Sequence, residues 1–168
     1  MRKVVVTVYD EGWPIEFEHA AEAICGMLGS KCLEVEHIGS TAVPGLAAKP
    51  VIDLLVIVSD IEALDQLEEE FRQLGYQAKG ENGLPGRRYF ERGGNARTHH
   101  VHCYGQGDPE ILRHLAFRDF LKTNPQTAAA YGRLKLKLAK QYPLDIDQYI
   151  EEKQAMIQEI ERKAMGEI

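Results

Sequence analysis

The sequence predicts an α+β fold, a small mixed β-sheet with flanking helices and a helical C-terminal half. Three observations lead there. "VIDLLVIV" at residues 51–58 is β-branched and almost uniformly apolar, the mark of a central strand covered on both faces. "LEVEHI" at 33–38 and "THHVHCY" at 98–104 alternate in polarity as strands do. Three helix-start signals then occupy the rest of the chain: Asp108 before Pro109, Asn124 before Pro125, and Asp145 after Pro143.

In chain order, residues 4–9 read as a short strand. A first helix follows over 12–29, with Pro14 in its first turn, Ile15, Ile24, Met27 and Leu28 at helical spacing, and Gly29 at its end. The strand at 33–38 runs into a Gly-Ser loop and then into the central strand. Residues 59–75 read as one helix, opened by a capping box from Ser59 to Glu62 and carrying Ile61, Leu64, Leu67, Phe71 and Leu74 on one face. "GYQA" and "RRYFE", separated by the turn-rich "KGENGLPG", predict two antiparallel strands.

Hydrophobic residues make up 44% of the 168 and charged residues 27%, values of a globular chain. That length predicts a single domain over 1–168. A formal charge of −6 and a pI near 5.5 argue against an extended nucleic-acid surface and favour a small ligand. The apolar run after Met1 is broken by Thr7, Tyr9 and Asp10, too soon for a secretory segment, and nothing reaches transmembrane length. Cys25, Cys32 and Cys103 are odd in number and lack CxxC spacing. They are expected to be small buried core residues of a cytoplasmic protein with reduced thiols.

Asp53 is the anomaly, a carboxylate inside an apolar strand that needs a cation, a metal or hydrogen-bond donors to meet it. The loop before it, "HIGSTAVPGLAAK", offers Gly39, Ser40 and a Pro44-Gly45 turn, whose backbone N–H groups suit a phosphate. It is not a Walker loop, because Gly45 is followed by Leu46, Ala47 and Ala48 before Lys49. His100 and His102 lie two apart on one strand and so share a face. They are expected either to join Asp53 around a metal, where mixed ligation suits Mn²⁺, Zn²⁺ or Fe²⁺, or to be hydrogen-bonded on the sheet.

Cations interrupt three apolar helix stripes. Lys153 falls within Ile146, Ile150, Ile157, Ile160 and Ala164; Lys135 shares a face with Tyr131, Leu134 and Leu138; Arg118 follows Ile111 and Leu115. Together they point to an inward anionic site, or else to long stems snorkelling to water. Of Arg87 and Arg88, adjacent on a strand, one faces such a site. His19 and His114 sit on helices and are read as structural or exposed.

A Gly-Ser pair, twelve intervening residues and then Asp in an apolar strand resembles the signature of the polymerase-beta-like nucleotidyltransferase superfamily. "HIGSTAVPGLAAKPVIDLLV", "GRRYF", "HVHC", "FRDFL", "YGRLKLKLA" and "YIEEKQ" together resemble the GrpB family across the chain, a family placed among predicted nucleotidyltransferases and fused in some proteins to dephospho-CoA kinase. The resemblance implies a nucleotidyltransferase-like fold and a nucleoside triphosphate or related ligand. In that fold Ser40, Lys49 and Asp53 would be catalytic, and His37, Gly39, Ser40, Thr41, Lys49 and Arg88 would bind phosphate, joined by the stripe cations Arg118, Lys135 and Lys153 read from helical spacing. A divalent metal, Mg or Mn with Zn as an option, would sit on Asp53, His100 and His102. One departure stands out: where the superfamily carries a second acid two residues on, this chain has Leu55. That substitution keeps open a catalytically inactive nucleotide-binding module linked to coenzyme A biosynthesis. A metal-dependent phosphohydrolase built on Asp53, His100 and His102 is a third reading.

Overall fold

In the computed structural model, which describes residues 2–166, five strands form one mixed sheet: β1 (Cys32–Ile38), β2 (Ile52–Val58), β3 (Gln77–Ala78), β4 (Arg88–Arg92) and β5 (His99–Gly105), in the order β1-β2-β5-β4-β3. β2 and β5 run parallel, and the other pairs are antiparallel. The helices are α1 (Trp13–Leu28), α2 (Glu68–Gln73), α3 (Pro109–Thr123), α4 (Pro125–Gln141) and α5 (Ile146–Ala164).

Alternation along β2 divides the molecule into layers. Leu54, Val56 and Val58 face a core shared with Ile24 and Leu28 of α1, Phe71 of α2, and Val101 and Cys103 of β5. Leu55 and Ile57 face the opposite layer, packed with Ile38, Tyr104 and the partly buried Ile111 and Leu115 of α3. Asp53, two residues before Leu55, points into this second layer, beneath the C-terminal helices. Both faces of β2 are covered, as its composition predicts.

Four expectations need correction. Residues 4–9 form no strand of the sheet; they make one bridge, Thr7 with Ala48. Residues 59–75 are two pieces, a 3₁₀ helix Ile61–Gln66 and then α2, and the cap is Asp60, whose side chain accepts from the Glu62 N–H. The spacing explains the break: Ile61, Leu64 and Leu67 are three apart, which keeps one face inward only at three residues per turn, while Leu67, Phe71 and Leu74 follow the α period. In the first and last helices, Ile15 and Ile150 are exposed, and Trp13, Ala20 and Tyr149 take the inward places. Of the three free cysteines only Cys103 is buried; Cys25 is exposed and Cys32 partly so. Among the described residues no helix is long and apolar enough to cross a membrane.

Candidate functional site

The sheet register builds the centre. Asp53 pairs with His100 across the parallel β2–β5 ladder, and His102 lies opposite Tyr89 on β4. His102 Nε2 is 3.1 Å and His100 Nδ1 3.5 Å from the same oxygen, Asp53 Oδ1. The other ring nitrogen of each histidine meets an arginine: Arg87 Nη1 is 3.4 Å from His102 Nδ1, and Arg97 Nη1 is 3.4 Å from His100 Nε2. A guanidinium only donates, so the nitrogens facing it accept, and each imidazole donates its remaining N–H to Asp53. Burial pushes the Asp53 carboxyl up, but the two histidine contacts outweigh it and hold the group far below the usual carboxylate range.

The loop is shaped to this carboxylate. Gly39 has φ 74° and ψ −173°, a region essentially reserved for glycine, and a Cβ there would stand 2.6 Å from Asp53 Oδ2. Ser40–Ala42 then form one 3₁₀ turn. His37 Nε2 lies 2.9 Å from Thr41 Oγ1, and its ring stacks on Phe17 at 4.7 Å. Burial lowers the His37 pKa to about 4, so at neutral pH it braces the loop as an uncharged ring.

Three lysines close the site. A cavity of about 180 Å³ is lined by Ser40, Thr41, Lys49, Asp53, His100, Lys135, Tyr149 and Lys153 among others. Lys135 is 2% exposed, and its Nζ has no hydrogen-bond partner in the protein; it lies 4.5 Å from the Tyr131 ring centroid. Lys153 and Lys49 both lie over the Tyr149 ring, at 4.8 and 5.3 Å, and the Tyr149 hydroxyl is likewise buried without a partner. Gly132 sets α4 in place: a Cβ there would meet Leu46 of the loop at 3.2 Å. Burial lowers the Lys49 pKa to about 7, with Lys153 and Arg2 adding repulsion, and lowers Lys153 to about 8, with Asp53 opposing both shifts. Lys135 is driven well below the usual range by burial and by the other two lysines.

A small sheet with Asp53 at its centre, covered by helices that deliver lysines, is thus on view, and the family model described as "GrpB protein" matches residues 3–163. The chain belongs to the GrpB family. It is 48% identical over 163 residues to the UPF0157 protein YqkA of Bacillus subtilis strain 168, a match covering 97% of this chain and 48% of YqkA, so this GrpB-family chain spans about half of that relative. The crystal structure of conserved protein GrpB from Enterococcus faecalis is similar at TM-score 0.93 and 52% identity, covering 96% of this chain and 98% of that one. The Cid1 poly(U) polymerase, with GTP and Mg bound, is similar at TM-score 0.54 and 16% identity over 80% of this chain and 44% of that one. That likeness is one of fold: the GrpB-family chain has a nucleotidyltransferase-like α+β architecture.

Several sequence-chosen residues lie elsewhere. Arg88 pairs in register with Cys103 and so faces the α1–α2 layer, where it bonds Asp65 at 2.7 and 3.1 Å. Arg87, one residue earlier, takes the site side, 7% exposed and donating to the Glu81 and Asn82 carbonyls. Arg118 is spoken for by Glu36 at 2.7 Å, Asp119 at 2.9 Å and the His37 carbonyl at 3.1 Å. Sequence reasoning missed Arg97, Tyr149 and His114. Arg97 also pairs with Glu91 at 2.6 Å, and the His114 ring lies 5.3 Å from that of His102, its pKa lowered to about 3 chiefly by burial. Only Tyr149 left a sequence signal, one residue from the Ile150 assigned to the stripe.

The donor set fits neither the paired carboxylates that the superfamily resemblance implies nor the mixed centre that strand spacing suggests for Asp53, His100 and His102. The imidazoles present N–H groups to Asp53 and turn their lone pairs to arginines, so neither has a ligating nitrogen aimed at the carboxylate. Leu55, in the second acid's place, is fully buried among Ile38, Ile57 and Tyr104. Among the described residues no group of three or more His, Cys, Asp or Glu is arranged to hold a metal ion. A larger hollow of about 690 Å³, lined by Val43, Leu46, Ala128 and Gly132 among others, includes none of Asp53, His100, Lys135 and Lys153.

Proposed function

We propose that this GrpB-family chain binds a nucleoside triphosphate or related phosphorylated ligand with its phosphates in the Asp53 pocket, and that it is a nucleotidyltransferase of the cytoplasm. The observation that carries the reading is Lys135, an amine buried without a hydrogen-bond partner beside Lys49 and Lys153. Three amines against one carboxylate are poorly compensated in a buried site, and an anion supplies what is missing. Lysine serves phosphate as a point charge with rotatable donors, and Ser40 adds a hydroxyl.

In this reading an acceptor hydroxyl releases its proton to solvent as its oxygen bonds to the α-phosphorus, the bridge to the β-phosphate breaks, and pyrophosphate leaves against the lysines. Their amines are already held in place and, protonated against the phosphates, supply charge without reorganisation, which is how electrostatic stabilisation lowers a barrier. Asp53, ionised and locked by two N–H donors, anchors the imidazoles and the loop. The test is titration with ATP, GTP, CTP and UTP, each with and without Mg²⁺, together with pyrophosphate release. Wild-type binding that Asp53→Asn and Ser40→Ala both leave unchanged would move the ligand away from this site.

Leu55 favours one second reading, a module that binds nucleotide without turnover and serves coenzyme A biosynthesis. Tight binding with no pyrophosphate released from any of the four nucleotides selects it. The phosphohydrolase reading loses its support with the metal set.

A further inference from the structure

A polyphosphate can be recognised in two ways: through a divalent ion that bridges it to carboxylates, or through donors that touch its oxygens directly. Two independent sets of contacts in this pocket bear on the choice. On the sheet, the two imidazoles that would share a metal with Asp53 are committed elsewhere. Asp53 Oδ1 is met by two imidazoles, their outer nitrogens face Arg87 and Arg97, and the next inward position is the fully buried Leu55. On the helices, Lys135 Nζ and the Tyr149 hydroxyl are buried with no hydrogen-bond partner in the protein, and Lys49 and Lys153 rest on a ring face, a weaker partner than an anion.

Accordingly, we infer that the pocket takes a di- or triphosphate group directly as a metal-free anion, with Lys49, Lys135 and Lys153 carrying the charge that a divalent ion carries elsewhere. This deepens the phosphorylated-ligand reading and rests on it. Size agrees: about 180 Å³ falls short of the roughly 300–1,000 Å³ of sites that enclose a whole small molecule. The phosphates enter and the rest of the ligand stays outside. Lys49 and His100 also line an adjoining hollow that includes Arg2, Tyr89 and Arg97, where that remainder has room.

Calorimetric titration with inorganic tripolyphosphate, in EDTA and again in excess Mg²⁺, tests the inference on the full chain. Binding in EDTA is expected, with affinity in Mg²⁺ equal or lower because the metal competes for the probe. Lys135→Met and Lys153→Met should each weaken it about 10- to 100-fold, whereas Lys137→Met, an exposed lysine on the same helix, should leave it within about threefold. Lys135→Met should also unfold at a higher temperature than wild type without ligand, which separates a lost contact from a lost fold. Binding that appears only with Mg²⁺ overturns the inference and leaves the phosphorylated-ligand reading intact. Equal losses from Lys137→Met and Lys135→Met overturn it as well, by making the attraction a general surface effect. No binding of tripolyphosphate or any nucleotide under either condition overturns both.

Discussion

Gly39→Ala tests the joint between loop and sheet. The native conformation, φ 74° with ψ −173°, costs a residue with a Cβ about 1–3 kcal/mol. The added methyl would also stand 2.6 Å from Asp53 Oδ2 and 3.2 Å from both its Cβ and Cγ, so the side chain cannot swing clear by turning its end. Displacing it breaks the 3.1 Å contact with His102, and a hydrogen bond to a charged group is worth about 1.5–3 kcal/mol. Together the loss is about 2.5–6 kcal/mol, or about 5–24 °C in melting temperature for a chain of this size. Gly45→Ala is the control: its φ is 83°, but nothing lies within 4 Å of an added Cβ, so only the backbone cost of about 1–3 kcal/mol applies. Urea unfolding with unchanged slopes measures both. If the two substitutions cost the same, Gly39 does not press on Asp53 and the account of the loop fails.

The adjacent arginines give an opposite pair. Arg87→Met removes a buried guanidinium bonded to two carbonyls and should cost about 2–4 kcal/mol in urea unfolding; Arg88→Met breaks a pair whose acid, Asp65, is 46% exposed and should cost within about 1 kcal/mol. Stability should also depend on pH through the lysines. Lys49 and Lys153 lose their protons near 7 and 8 when folded but near 10.5 when unfolded, so the unfolded chain binds more protons and stability rises with pH from about 7. The urea midpoint should climb between pH 7 and about 8.5, below the ionisation of unfolded thiols, and climb less in Lys153→Met; a flat or falling wild-type curve refutes the burial of these amines. On the acid side, His37 and His114, lowered to about 4 and about 3, make stability fall as pH drops below about 6.5, which the same titration reads.

What the sequence disclosed was whatever depends on local period. The strand at 51–58, the Pro-led starts of α3 and α4, and the two lysines interrupting apolar stripes all follow from spacing of a few residues. The failures have a common cause, a phase that only tertiary contact sets. The resemblance implies Arg88 as the inward arginine, but the β4 register puts it beside Cys103 on the far face. Helical spacing assigns Ile150 to the core stripe, but the last helix turns so that Tyr149 is inward and Ile150 is 40% exposed. Arg97 comes from a glycine-rich loop without periodicity and reaches His100 only because β4 and β5 pair. His114 needs α3 to dock on the sheet before it approaches His102. The break at residue 67 lies where the spacing changes from three-residue steps to the α period, a difference that one helix drawn through all five apolar residues averages away.

The segment ahead of α1 runs outside the sheet but is stitched to the parts that form the pocket. Val4 donates to the Pro143 carbonyl at 2.9 Å and packs with Leu138 and Tyr149, Thr7 exchanges two bonds with Ala48, and Arg2 lines the hollow next to Lys49. Tension or proteolysis acting at this end would therefore be felt at the loop before Lys49 and on α4 and α5, making the leading strap a brace for the wall that holds the buried amines.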